Sequence, residues 1–273
     1  MDIENINLEN FVKKVDVIYT DVDGTFVNEG CLFRNKNGYT LKNAAAVYRL
    51  LENHVDVVMT SGREKEKLKE AARILGFRNF IANLGIEIVY NNGEKVITHF
   101  GVDVPDHKSL KKWIAKTGVI QALFQNFPGQ LRYYTPWAEI LRTHHLLIGE
   151  LNFEEVHDWM KNQYPELRII DNGAVPPEKD FSNPHAYHIV PARVGKKSAV
   201  QIDKRERNLK KENLIGVGDS IEDLSIADEV GIFFLLDDTI KTEKPNVVYI
   251  DNKDGEGFSK IVDLLFKNEL ISL

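Results

Sequence analysis

Five short apolar runs, each without polar alternation, constrain this chain more than any other feature. They are VDVIYT at 15–20, VDVVMT at 55–60, LIGVG at 214–218, VGIFFLL at 230–236 and VVYI at 247–250. A strand with one wet face alternates polar and apolar residues. A strand covered on both faces does not, and a parallel sheet between two helical layers meets that condition. Amphipathic stretches lie between the runs. In EKEKLKEAARILG, Leu68, Ala71, Ala72 and Leu75 recur at helical spacing, and Gly76 is placed to cap the C-terminus. Phe258, Ile261, Val262 and Leu265 repeat that spacing near the end. This succession of strands and helices predicts an α/β fold, a doubly wound parallel sheet.

The middle of the chain reads differently. IEIVYNNGEKVITHF has the form of a hairpin turning at Asn92-Gly93. AEILRTHHLLIG and LRII at 167–170 read as strands. Asn152, with Glu155 three residues on, forms a capping box for a helix carrying Phe153, Val156, Trp159 and Met160. GAVPPEKDFSNPH at 173–185 is rich in turn residues. The expectation is a core formed by residues 1–84 and 188–273, with an α+β domain, residues 85–187, inserted into it. A length of 273 residues suits two such domains.

Composition narrows the function classes. A formal net charge of -6 argues against nucleic acid as a partner. KRERNLKKE at 204–212 reads as a solvated helix surface. The one cysteine, Cys31, rules out a disulfide within the chain, and no activating base stands near it in sequence. MDIENINLENF lacks the apolar stretch of a signal peptide. No run approaches the roughly 20 apolar residues of a membrane span. The expectation is a cytoplasmic protein whose partner is a small molecule, with neither nucleic acid nor membrane involved.

In doubly wound sheets, ligands bind beyond the carboxyl ends of the strands. The residues there are informative. The first run ends in T-D-V-D-G-T, which places Asp21 and Asp23 side by side, and Gly24 frees the turn. Two acids this close need a cation or a shared proton. The second run ends in T-S-G-R, where Ser61 and Gly62 offer a hydroxyl and a backbone N–H to an anion just before a helix. Arg63 and Asn83 are candidate substrate contacts. The third run ends in G-D-S-I-E-D, and one helical turn would bring Asp219 and Asp223 to one side. Lys196 and Lys197 open a helix, where a cation opposes the helix dipole and so gains nothing locally.

A mechanism follows from these parts. Asp21, Asp23 and Asp219 make an all-oxygen site suited to Mg²⁺. Asp21 attacks phosphorus and forms an aspartyl-phosphate. Asp23 protonates the leaving oxygen and then takes a proton from water. Ser61 and Lys196 hold the transferring oxygens.

DVDGT, a Ser after the second strand, a later Lys and GDxxxD stand in the order of the haloacid dehalogenase-like superfamily, and the chain resembles that family over roughly residues 15–85 and 186–235. The resemblance implies a Rossmann-like core with Asp21 as nucleophile and Asp23 as acid and base. It implies Mg²⁺ held by the Asp21 carboxylate, the Asp23 main-chain carbonyl and Asp219, with Asp223 supporting the metal or Lys196. It also implies that the insertion is a large cap, as in Cof-type and sugar-phosphate phosphatases. Two departures are visible. Glu222 stands where relatives often carry Asn, and the lysine block reads GKKSAV. Aligning Ala199 with the family's alanine selects Lys196, with Lys197 as the alternative.

The resulting expectation is a Mg²⁺-dependent phosphatase acting on a sugar phosphate or phosphorylated glycoside. A phosphotransferase or mutase on the same site, and a binding protein that kept the fold, are the alternatives. Arg132, Tyr133, Arg142, His144 and His145 are candidate pocket residues in the insertion, set against sheet packing and a solvated face. Trp113, Trp137 and Trp159 read as core.

Overall fold

The computed structural model describes residues 8–271. From β1 (Val17–Thr20) the chain passes through two short paired strands, β2 (Arg34–Asn35) and β3 (Gly38–Tyr39), into α1 (Lys42–Glu52). It continues through β4 (Asp56–Thr60), α2 (Lys65–Leu75), β5 (Phe80–Ala82), β6 (Glu87–Tyr90) and β7 (Lys95–Thr98). Next come α3 (His107–Lys116), α4 (Val119–Asn126), β8 (Leu131–Tyr133), α5 (Trp137–Ile140) and β9 (His145–Gly149), then α6 (Phe153–Gln163), β10 (Leu167–Ala174) and β11 (His185–Pro191). The last third comprises α7 (Lys196–Arg207), β12 (Leu214–Gly218), α8 (Ile221–Leu224), β13 (Ile232–Leu235), β14 (Val247–Tyr249) and α9 (Gly257–Lys267).

All five apolar runs are strands of one sheet, ordered β14-β13-β12-β1-β4-β5-β6-β7. The pairings from β14 to β5 are parallel, and β6 reverses against β5. Alternate residues along a strand point to opposite faces, and here each face meets its own core. On one side, Ile18, Val57, Met59, Ile215, Val217 and Phe234 pack with Ala46, Val47 and Leu50 of α1 and Phe258, Ile261 and Leu265 of α9. On the other, Val17, Tyr19, Val58, Leu214, Phe233 and Leu235 pack with Ala199 and Val200 of α7. The two-sided burial explains why the runs lack polar residues. Gly76 caps α2 at φ 81°, where its missing Cβ avoids the strain of that conformation.

The structure divides into two compact units, one running up to Ile97 and resuming at Lys196, the other Thr98–Gly195. These boundaries correct the expected insertion of 85–187. β6 pairs with β5 through Phe80↔Val89, Ile81↔Ile88 and Ala82↔Glu87, so the opening residues of the apparent insertion, up to Ile97, extend the main sheet. At the far end, Leu167 of β10 pairs with Pro191, which keeps β11 in the second unit beyond residue 187. The second unit is built on a four-stranded sheet ordered β10-β11-β9-β8. The Asn152 side chain caps α6 by accepting from the Glu155 N–H, and Val156 and Met160 are its buried residues. AEILRTHHLLIG is a strand only over His145–Gly149, because Trp137–Ile140 winds into α5 with Pro136 at its start. Among the described residues, no helix is long and apolar enough to cross a membrane.

Two buried polar clusters test how the units are held. In the first, the Tyr19 hydroxyl donates to Asp203 at 2.5 Å, Arg207 Nη2 lies 2.7 Å from the same carboxylate, and a second nitrogen of Arg207 reaches Asp56. Burial and the Asp203 carboxylate push the Tyr19 hydroxyl far above its ordinary range, so it stays a donor. Asp203→Ala leaves the Arg207 charge without this partner and should cost about 3 kcal/mol, read from the urea midpoint. In the second, His144 Nε2 lies 2.7 Å from His188 Nδ1, and His144 Nδ1 lies 2.7 Å from the Thr143 hydroxyl. Burial first, then the neighbouring His188, hold His144 well below its ordinary range. The unfolded imidazole takes up a proton near pH 6.5 and the folded one does not. Stability present above that pH should therefore fall as pH drops from 6.5 towards 5. His144→Gln should flatten the fall, measured by thermal unfolding across that window.

Candidate functional site

The carboxyl ends of β1 and β12 bring the acids together. The Asp21 N–H donates to the Val217 carbonyl at 2.9 Å, fixing it beside β12. Lys196 is the first residue of α7. Its ammonium, almost wholly buried, lies 2.6 Å from Asp21 Oδ1 and 2.5 Å from Asp223 Oδ1. Asp223 is fixed in turn by a capping box. Its Oδ2 accepts from the Ser220 N–H at 3.2 Å, and its own N–H donates to the Ser220 hydroxyl at 3.2 Å, a hydroxyl that also lies 2.6 Å from Oδ2. Lys197 turns instead to Asp228 on the surface, at 2.6 Å, so Lys196 is the lysine of this cluster.

One carboxylate oxygen from each of Asp21, Asp219 and Asp223 falls within 4.8 Å of the others. Burial pushes Asp21 up to about 7, against the pull of Lys196 and with the help of Asp223. Burial, then Asp223 and Asp21, push Asp219 up to about 8. The Lys196 ammonium is held charged despite burial, because both carboxylates face it. Three carboxylates against one ammonium leave an excess of negative charge. Hard oxygen donors with that excess fit a divalent cation of the Mg²⁺ kind. Gly24 stands against this cluster at φ 79°, and a Cβ there would lie 2.1 Å from Asp219 Oδ2.

The other expected residues lie around this centre. Thr20 pairs with Met59, so Ser61 and Gly62 follow β4 next to the end of β1. The Ser61 N–H is used by the Ile81 carbonyl at 2.9 Å, and its hydroxyl accepts from the Arg63 N–H at 3.2 Å. The Ser61 N–H is thus already used within the protein, and the expected anion contacts are its hydroxyl and the Gly62 N–H. Arg63 is engaged with Asp23, Nε to Oδ2 at 2.8 Å and Nη2 to Oδ1 at 2.5 Å. Asn83 is buried, its amide 2.6 Å from Glu87 Oε2.

Two residues go beyond the sequence motifs. Glu222 Oε1 accepts the Lys196 N–H at 3.0 Å, placing a carboxylate at the start of α7. The Asn252 amide donates to the Gly24 carbonyl at 2.9 Å, and its carbonyl accepts from the Gly257 N–H at 2.8 Å. Glu222 is visible in the sequence as the acid before Asp223. Asn252 lies after the last strand, where no motif marks it. Beside Gly24 and Asp219 lies a cavity of about 640 Å³ lined by Lys36, Asp238, Asn252 and Lys253, among others.

In the second unit the expected pocket residues are largely committed to the protein. Arg132 pairs with Glu178, and with Asp180 at 3.5 Å. His144 is in the interior, and His145 Nε2 lies 3.2 Å from the Lys111 carbonyl. Trp159 packs edge-on against Phe127, whereas Trp137 is 47% exposed and does not join the core.

Comparison with known proteins bears on the fold. The sequence model of the haloacid dehalogenase-like hydrolase family matches residues 18–129. No curated protein matches the chain. Among solved structures, a Streptococcus mutans protein superposes with a TM-score of 0.66 at 16% identity, covering 93% of this chain and 100% of that one. A phosphatase of the haloalkanoate enzyme superfamily from Bacteroides thetaiotaomicron gives 0.63 at 16% identity, covering 94% and 96%. A haloacid dehalogenase-like hydrolase from B. subtilis gives 0.56 at 17% identity, covering 91% and 99%. Residues 18–129 thus match the haloacid dehalogenase-like hydrolase model, and the solved structures share the fold of the whole chain. Gly24→Ala should push Asp219 aside and weaken divalent-cation binding about 10- to 100-fold, read by titration calorimetry, with the circular dichroism spectrum kept.

Proposed function

We propose that this protein is a Mg²⁺-dependent phosphatase. Its substrate is a small phosphorylated metabolite, a sugar phosphate or phosphorylated glycoside, hydrolysed through an aspartyl-phosphate on Asp21. The observation that carries the reading is the buried Lys196 ammonium shared between Asp21 and Asp223, with Asp219 alongside. A nucleophilic carboxylate, a fixed cation and a cluster of oxygen donors are what phosphoryl transfer to an aspartate needs.

The Asp21 and Asp219 carboxylates and the Asp23 main-chain carbonyl would hold the Mg²⁺, with Asp223 behind them. When bound, the ion supplies Lewis-acid stabilisation of charge on the phosphoryl oxygens. Asp21 forms the bond to phosphorus as the bond to the leaving oxygen breaks, and that oxygen takes the proton of Asp23. Water then attacks phosphorus, gives its proton to Asp23 and releases Asp21 as a carboxylate. The Ser61 hydroxyl, the Gly62 N–H and the Lys196 ammonium are the groups assigned to the phosphoryl oxygens.

The size and polar lining of the cavity beside Gly24 and Asp219 suit a small hydroxyl-bearing compound. The structural neighbour named as a phosphatase supports the reaction type. We assign substrate selection to the inserted unit, residues 98–195, acting as a cap. The test is phosphate release from a panel of sugar phosphates, with Mg²⁺ and with chelator. Release should require the metal, and Asp21→Asn should lower it at least about 10³-fold while the fold persists. Activity retained by Asp21→Asn, or untouched by chelator, would overturn the reading.

A further inference from the structure

We infer that Arg63 is a positioning residue for Asp23, acting mainly in the second half of the reaction, the hydrolysis of the aspartyl-phosphate. The inference rests on the phosphatase reading above. The two contacts, Nε to Oδ2 at 2.8 Å and Nη2 to Oδ1 at 2.5 Å, make a side-on fork. Two parallel N–H groups fix the plane and direction of a carboxylate, which the point charge of a lysine does not. Among the described residues, Asp23 has no other hydrogen-bond partner for its carboxylate, and its side chain is about half exposed. Arg63 therefore sets where those oxygens point.

The base of Arg63 is itself held. Its N–H donates to the Ser61 hydroxyl at 3.2 Å, and its carbonyl accepts from the Asn83 N–H at 2.9 Å. Asn83 stands at φ 52°, a left-handed conformation that its amide contact with Glu87 helps to secure. Glu87 lies on β6 and also meets Lys65 at 3.1 Å. A continuous run of contacts thus leads from the main sheet through Asn83 and Arg63 to Asp23. It accounts for Asn83 as support for Arg63 rather than as a substrate contact.

The direction of the effect follows from what each half-reaction asks of Asp23. With both oxygens accepting from Arg63, the carboxylate is presented as an acceptor. The second half needs an acceptor: the bond from water oxygen to phosphorus forms, the bond from phosphorus to Asp21 breaks, and the water proton passes to Asp23. The first half needs Asp23 to give a proton, and for that one N–H of the fork has to yield. Loss of Arg63 therefore weighs on dephosphorylation more than on formation of the intermediate.

The test uses p-nitrophenyl phosphate and Mg²⁺ under rapid mixing, with wild type, Arg63→Ala and Arg63→Lys. For Arg63→Ala, kcat should fall about 10²-fold, while kcat/KM falls less than about threefold, so KM drops with kcat. A burst of nitrophenol approaching one per active site should precede the slow phase, and Arg63→Lys should lie between. A parallel fall in kcat and kcat/KM without a burst would overturn the inference, since a structural or substrate-binding role moves both. Unchanged kinetics in both variants would overturn it as well. A folded wild type that releases no nitrophenol would instead bring down the phosphatase reading, and this assignment with it.

Discussion

The buried ammonium of Lys196 is the interaction on which the site depends. Asp21 and Asp223 are buried, Asp219 is half-buried beside them, and like charges at that spacing repel strongly. A cation fixed between two of them makes the arrangement tenable without any ligand. Lys196 stands at the start of a helix, where the dipole disfavours positive charge. The carboxylates of Asp21 and Asp223 offset that, and Glu222 compensates the helix end by accepting the Lys196 N–H. An ammonium so placed costs desolvation and repays it only through its two charged partners. Replacing any one of the three disturbs the other two.

A parallel sheet makes this convergence natural. β1 is flanked by β4 and β12, all running the same way, so their carboxyl ends open on one edge. Asp21, Ser61 and Asp219 each follow one of those three strands. Around that edge the backbone is tightly determined. Gly24 has no room for a side chain, and Asn252 clamps its carbonyl. Rigid neighbours of this kind keep acids in register for chemistry that tolerates little displacement.

Much of this was legible in the sequence because it rests on local pattern. The five apolar runs predicted five strands, since two-sided burial leaves a composition signature. Asp21, Asp23, Asp219 and Asp223 were legible because each follows a strand or opens a helix. What the sequence concealed depends on pairing at a distance. Glu87 to Thr98 looked like part of the insertion, and only its pairing with β5 assigns nearly all of it to the main sheet. Nothing in the composition of Arg63 distinguishes a substrate contact from a partner of Asp23, because the fork is made across 40 residues of chain. Trp137 looked like core, yet the short helix α5 leaves it half exposed. The hydrogen bond of Asn252 to Gly24 spans 228 residues, beyond any motif.

The order of the strands also bears on how the protein is made. β1 takes one neighbour, β4, from the chain that closely follows it, and the other, β12, from residues 214–217. Asp21 precedes its lysine by 175 residues. During synthesis, an apolar strand with one open edge therefore leaves the ribosome long before its second partner exists, while the whole 98–195 unit is threaded between them. Such an edge invites pairing with other chains. Incomplete chains ending before α7 already hold Arg63 for Asp23 but carry Asp21 without its lysine, so the charge of Asp21 is balanced only once translation has passed the inserted unit.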